Sequence, residues 1–146
     1  MHFAGQFNIN APREKVWGYI SDPHTTLDYV PFSKDLKVLS EDKFNISMDV
    51  AVGAVRGVFN FNVNIKEIVP PSHASIKAHG EGIRSVADVE IGVDLVENAE
   101  NKTDLVWRAD AIVGGNVAGV GQRLLQIDAE KMIDELFEKL RERLEA

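Results

Sequence analysis

An α+β fold, a curved antiparallel sheet of about seven strands wrapped around one long C-terminal helix, is what this sequence predicts. Three observations carry that expectation. A series of segments alternates apolar and polar residues, so each has one wet and one covered face, as in an antiparallel sheet. Consecutive strands are joined by hairpin-length turns, too short for the crossovers of a parallel sheet. About residues 121–145, free of proline and internal glycine, carry Leu125, Ala129, Met132, Ile133, Leu136, Phe137, Leu140 and Leu144 on one helical stripe.

The elements follow in order. Phe3, Gly5, Phe7 and Ile9 alternate with Ala4, Gln6, Asn8 and Asn10, giving a first strand. Pro12 suits a first helical turn, where its missing N–H would have had no partner. Val16, Trp17 and Ile20 recur at helical spacing, and Asp22-Pro23 ends that helix because the residue before a proline is pushed out of the helical region. Residues 24–32 can hold a second short helix ending at Pro31. Six alternating segments come next, beginning at Leu36 and Val38. They continue through Phe44–Val52, Phe59–Ile65, Ala74–Ala78, Ala87–Leu95 and Leu105–Ala111. With no linker or repeat, residues 1–146 read as one domain of a size that buries a sizeable core.

Composition narrows the function classes. A net charge of −7, with lysines and arginines scattered among acids, argues against a nucleic-acid partner. No run approaches the ~18 apolar residues of a membrane span. Cysteine is absent, which excludes disulfides, thiolate metal sites and cysteine nucleophiles. The first residues lack a basic region and an apolar core, so the expected location is the cytoplasm, and the glycosylation-like triplets at Asn45 and Asn101 read as chance.

Motifs for chemistry are weak. Asp49, Asp88, Glu90, Asp94, Asp104 and Asp110 fall opposite the apolar faces, where solvation and pairing with Arg108 or Lys77 are expected. A general acid or base belongs inside a pocket, so no catalytic residue is assigned. His73 and His79 lie six apart on one strand, about 20 Å, too far for one ion. His24 and Asp28 share a helical face without an evident third ligand, so no metal is expected either, and no cofactor. The glycines of Gly114–Gly121 precede a helix but lack the Lys and Ser/Thr of a phosphate loop. Their expected role is a tight turn and a close approach of the long helix to the sheet.

An ordered set of short motifs resembles the carbon monoxide dehydrogenase G-subunit family, within the START-like helix-grip superfamily. It comprises Gly5 and Phe7, Ala11-Pro12-Arg13-Glu14-Lys15-Val16-Trp17, Asp22-Pro23, Pro31, Val52-Gly53, Arg56-Gly57 and Pro70-Pro71. Gly80-Glu81-Gly82, Ala109-Asp110-Ala111, Val113-Gly114-Gly115, Ala118, Gly121, Arg123 and Leu124 complete it. Phe32 stands where the family usually has glycine, and the sequence ends at Ala146 without the extra tail of many members. The resemblance implies a cavity between sheet and helix for a lipid, quinone or similar molecule, and a molybdenum hydroxylase-type protein as partner.

Side-chain size points the same way. Gly5, Ala74, Ala78, Ala87, Ala109 and Ala111 are small on the covered faces, and densely packed proteins do not keep an empty void. The expected lining is Trp17, Tyr29, Phe32, Met48, Phe59, Phe61, Ala78, Trp107, Ala109, Leu125 and Met132. The leading expectation is therefore a non-catalytic carrier or sensor of an apolar small molecule. An enzyme on an apolar substrate would use His24 or Tyr29 near the mouth; an accessory protein would show an exposed apolar patch. Val120, Leu124 and Ile127 fall away from the main helical stripe and need cover from residues 24–32, a partner protein or a second copy.

Overall fold

The computed structural model describes residues 1–146. Strand β1 (His2–Ile9) is followed by helix α1 (Arg13–Ile20), a 3₁₀ turn and the single-turn helix α2 (Thr26–Tyr29). Six strands come next: β2 (Ser33–Ser40), β3 (Lys43–Val52), β4 (Val55–Val69), β5 (His73–Gly82), β6 (Ser85–Ala99) and β7 (Lys102–Gly115). A second 3₁₀ turn leads into helix α3 (Gln122–Glu145). All pairings are antiparallel, in the order β1-β7-β6-β5-β4-β3-β2. The α+β architecture and the seven strands match the expectation from periodicity.

Register turns the alternation into a covered face. Phe3, Ala109 and Ile91 stand opposite one another across β1, β7 and β6, and Ile76 and Ile65 extend that row across β5 and β4. A neighbouring row runs Ala111, Val89, Ala78, Val63, Phe44 and Val38 from β7 to β2. Strands with period-two side chains keep all of these on one side of the sheet.

Helix α3 spans that side like an arch. Its backbone comes close to β1 and β3 and makes few approaches to the four strands between them. Leu140 and Leu144 anchor its C-terminal half in a cluster with Ile9, Ala11, Val16, Leu95 and Leu105. Phe137 stacks on Phe7 at 4.7 Å, and the Arg141 guanidinium lies 4.3 Å above the Phe7 ring, a cation–π contact. Lys15 donates to the carbonyl of Leu144, satisfying an end-of-helix acceptor with a positive charge placed favourably for the helix dipole. At the other end Leu125 packs against Phe59, Ala87 and Val117.

The core therefore divides into three clusters, the third built on Phe44, Ile46 and Val63. Only 19 of 146 residues are buried, so the face beneath the arch is not filled solid. The accessible surface agrees: 8277 Å², against about 7,450 Å² for a compact chain of this mass. Ala74, Ile76, Ala78, Val89, Ile91, Val93, Ala109 and Ala111 are all half-buried on that face.

The glycine segment before α3 turns the chain as expected, with Gly115 and Gly121 at positive φ, but does not bring the helix close to the sheet. A Cβ on Gly115 (φ 85°) would lie 2.2 Å from the carbonyl oxygen of Arg84, so this glycine admits the β5–β6 turn. Nothing lies within 4 Å of a Cβ built on Gly119 or Gly121, so neither brings the helix onto the sheet.

Leu144→Ala should lower stability by about 2–5 kcal/mol, the cost of emptying a fully packed leucine site. Denaturant unfolding checks this, and a change under 1 kcal/mol would show that the arch is held elsewhere.

Candidate functional site

Two residues set the floor beneath the arch. Trp107 faces Gly5 across β7 and β1, and a Cβ on Gly5 would sit 3.0 Å from the indole Nε1. Phe61 faces Gly80 across β4 and β5, where a Cβ would lie 2.4 Å from the ring. Each glycine lets a large ring lie across the neighbouring strand instead of standing up toward α3. The space above is kept by the absence of a methyl group.

The expected lining residues fall into two groups. Met48, Phe59, Phe61 and Ala78 lie toward the β3–β5 side, with the Phe59 and Phe61 rings 5.7 Å apart and Leu125 against Phe59. Trp17, Tyr29 and Trp107 pack around the Ile9–Leu144 cluster, Trp107 with its ring 5.6 Å from Phe137. Ala109 lies on the floor between Phe3 and Ile91, and Met132 is half-buried on α3. Phe59 is 3% exposed and belongs to packed core. Phe32 stands outside, 61% exposed, at φ 61°. That backbone region is one glycine enters freely, a physical reason for the glycine expected there.

A pocket of about 340 Å³ opens between β1 and α3. His2, Phe3, Ala4 and Trp107 form its strand side; Gln126, Glu130, Ile133 and Asp134 form its helix side. Of the expected lining, Trp107 alone reaches it. The others were missed because the helical stripe singled out apolar positions, whereas Gln126, Glu130 and Asp134 border the same gap from its polar flank. Their spacing of four residues, one flank of a helix, was the available signal.

A larger concavity, about 720 Å³, lies on the opposite, outer face of the sheet. It includes Ala78 and Ala111, but its character comes from His2, Asn64, Lys66, Lys77, His79, Asp88, Glu90 and Asp110. The expected outward pairing appears as Lys77–Glu90 at 3.1 Å and Arg108–Asp94 at 3.4 Å. The histidines add pairs that alternation alone did not foresee. His79 Nδ1 is 2.6 Å from Asp88, His73 Nδ1 is 2.7 Å from Asp94, and His2 Nδ1 is 2.6 Å from Asp110. Each is a direct cross-strand partner.

The suspects for catalysis are placed unevenly. The His24 ring is exposed and 2.9 Å from the Asp22 carboxylate, whose pKa is held low by hydrogen bonds from the His24 backbone and ring. Burial pushes the Tyr29 phenol up to about 12, so at neutral pH it stays protonated and cannot serve as a base. No group of three His, Asp or Glu is arranged to hold a metal ion.

The three apolar residues off the main stripe are partly covered from within. A Cβ on Gly53, in the β3–β4 turn, would lie 3.3 Å from Leu124 and 3.6 Å from Val120. Ile127 remains 40% exposed.

A curved antiparallel sheet gripping one long helix is the helix-grip, START-like fold. A START superfamily protein from Mycobacterium smegmatis superposes with a TM-score of 0.75 at 15% identity, over 99% of this chain and 97% of that one. An aromatase/cyclase from Streptomyces does so at 0.76 and 12%, covering 99% and 93%. A conserved protein from Geobacillus kaustophilus gives a TM-score of 0.92 at 28% identity, over 99% and 95%. The family model for the carbon monoxide dehydrogenase G-subunit (CoxG) matches residues 5–145, and the chain belongs to that family. No curated protein matches by sequence. No helix is long and apolar enough to cross a membrane.

Hydrogen bonds donated by the His79 ring to the Asp88 carboxylate, and then to that of Glu81, raise the His79 pKa above its ordinary 6.5. The folded state thus binds this proton more tightly, so the contribution is full below about pH 6.5 and is lost as pH rises through the raised value. His79→Gln should lower the melting temperature below about pH 6.5 and match the unaltered protein only once the pH exceeds the raised pKa; a gap that persists at alkaline pH would refute this.

Proposed function

We propose that this chain binds an apolar small molecule, a lipid, quinone or similar, between the concave face of the sheet and α3, and that it does so without catalysis. The observation that carries the reading is the floor itself. Alanine, valine and isoleucine side chains lie half-buried under a helix that stands off from them, and the rings of Trp107 and Phe61 lie flat over glycines. Apolar surface so arranged is stabilised by an apolar occupant at roughly 25 cal/mol for each Å² removed from water.

A carrier is favoured over an enzyme because the strand carboxylates project from the outer face, where His79, His73, His2, Lys77 and Arg108 pair with them. The rival reading draws on the aromatase/cyclase among the structural neighbours. It requires a titratable group facing the floor, and neither exposed His24 nor protonated Tyr29 supplies a base there. Family membership supports a role as accessory to a molybdenum hydroxylase-type enzyme such as carbon monoxide dehydrogenase.

Native mass spectrometry with solvent extraction of the freshly purified protein tests the reading directly, since a copurified ligand identifies its class. Ala109→Trp is expected to abolish uptake of the uncharged fluorophore N-phenyl-1-naphthylamine while the melting temperature holds. A closed core would instead lose ~1–3 kcal/mol to overpacking, several degrees of melting temperature. Association with a second copy or a partner through Leu124 and Ile127 is the remaining part of the proposal. Ile127→Lys should weaken that association without lowering the melting temperature; a monomer at high concentration, destabilised by the substitution, would refute it.

A further inference from the structure

We infer that the pocket between β1 and α3 is the entrance to the ligand space, and that Glu130 and Asp134 there select ligands with an uncharged or cationic head over anionic ones. This rests on the reading that the space beneath α3 takes an apolar molecule. The pocket has an apolar inner part, formed by Phe3, Trp107 and Ile133, and a polar outer edge of His2, Gln126, Glu130 and Asp134. Phe3 and Trp107 are also part of the floor, through their register with Ala109 and Gly5. An amphipathic molecule entering here would place its tail on the floor and leave its head among the polar residues.

The charges at that edge are of one sign. Gln126, Glu130 and Asp134 recur every four residues, so they form one stripe along α3. No lysine or arginine lines the pocket. Gln126 donates to Glu130 Oε1 at 3.3 Å, which leaves the carboxylate its charge, and Asp134 has no ion pair within the chain. Lys131, next to Glu130 in sequence, lies outside the pocket lining and forms no ion pair with Glu130 or Asp134, and Arg108, next to Trp107, pairs with Asp94. The positive groups at the start of β1 are engaged elsewhere. The Met1 ammonium donates to the Ala111 carbonyl at 2.6 Å, and His2 faces the Asp110 carboxylate. A carboxylate or phosphate head would meet uncompensated negative charge. A hydroxyl, carbonyl or ammonium head would not, and the first and last can donate hydrogen bonds to Glu130 or Asp134. One carboxylate about 4 Å away disfavours a like charge roughly fivefold in water-like surroundings, so two together exceed tenfold.

The experiment uses three ligands with the same tail: dodecanol, dodecylammonium and dodecanoate, each below its micellar concentration at neutral pH. They displace N-phenyl-1-naphthylamine from the unaltered protein. Dodecanol and dodecylammonium are expected to do so at concentrations at least tenfold below dodecanoate. The gap between the two charged ligands should shrink in about 1 M salt, where the screening length is only ~3 Å. It should also shrink about tenfold in Glu130→Gln/Asp134→Asn. Equal displacement by all three, a preference for dodecanoate, or a gap unaffected by both salt and the double substitution would overturn the inference while leaving the apolar cavity standing. Failure of N-phenyl-1-naphthylamine itself to bind would overturn the cavity reading and this inference together.

Discussion

Burial of Leu140 and Leu144 among Ile9, Val16, Leu95 and Leu105 is the contact on which the rest of the structure depends. A lone helix of this length is marginal in water, and its stability in a protein comes chiefly from packing its apolar face. Here that packing is concentrated at the C-terminal end, reinforced by Phe137 on Phe7 and by Arg141 over the same ring. The opposite end rests on Phe59 and Val117 through Leu125. Because the two supports lie near the two ends of the helix, its middle is carried over the sheet without being pressed onto it.

The floor under the helix is shaped by one device repeated on both faces of the sheet. A glycine on one strand accepts a large side chain from the next: Gly5 takes Trp107, Gly80 takes Phe61, and on the outer face Gly92 takes the guanidinium of Arg108. Glycine weakens a strand by its backbone entropy, so three such pairs in one sheet mark positions where close approach outweighs that cost. On the inner face the result is space, and on the outer face it is an arginine laid flat beside Asp94.

Charge then distinguishes the two concavities. In the outer one, acids are matched across strands by histidine or lysine, so its groups largely satisfy one another. Surface pairs of this kind contribute little stability individually. At the β1–α3 opening the carboxylates meet no cation of the chain, and apolar residues lie immediately behind them. The smaller concavity is therefore the one whose chemistry remains available to a ligand.

Alternation of period two and a proline-free helical stripe were sufficient to read off the strands, the C-terminal helix and the outward direction of Asp88, Glu90, Asp94 and Asp110. These patterns are local, because a side chain's face on a strand or helix follows from its spacing alone. The family resemblance was likewise carried by short motifs in order along the chain. What only the tertiary structure decided was the distance between elements. No local pattern states that α3 stands on β1 and β3, that Trp107 and Phe61 lie down over Gly5 and Gly80, or that Phe59 joins the packed core while Phe32 stays outside it. Nor does it state that Gln126, Glu130 and Asp134 border Phe3 across a gap. Those facts depend on register and on the angle at which a helix crosses a twisted sheet, both set by contacts between residues far apart in the sequence.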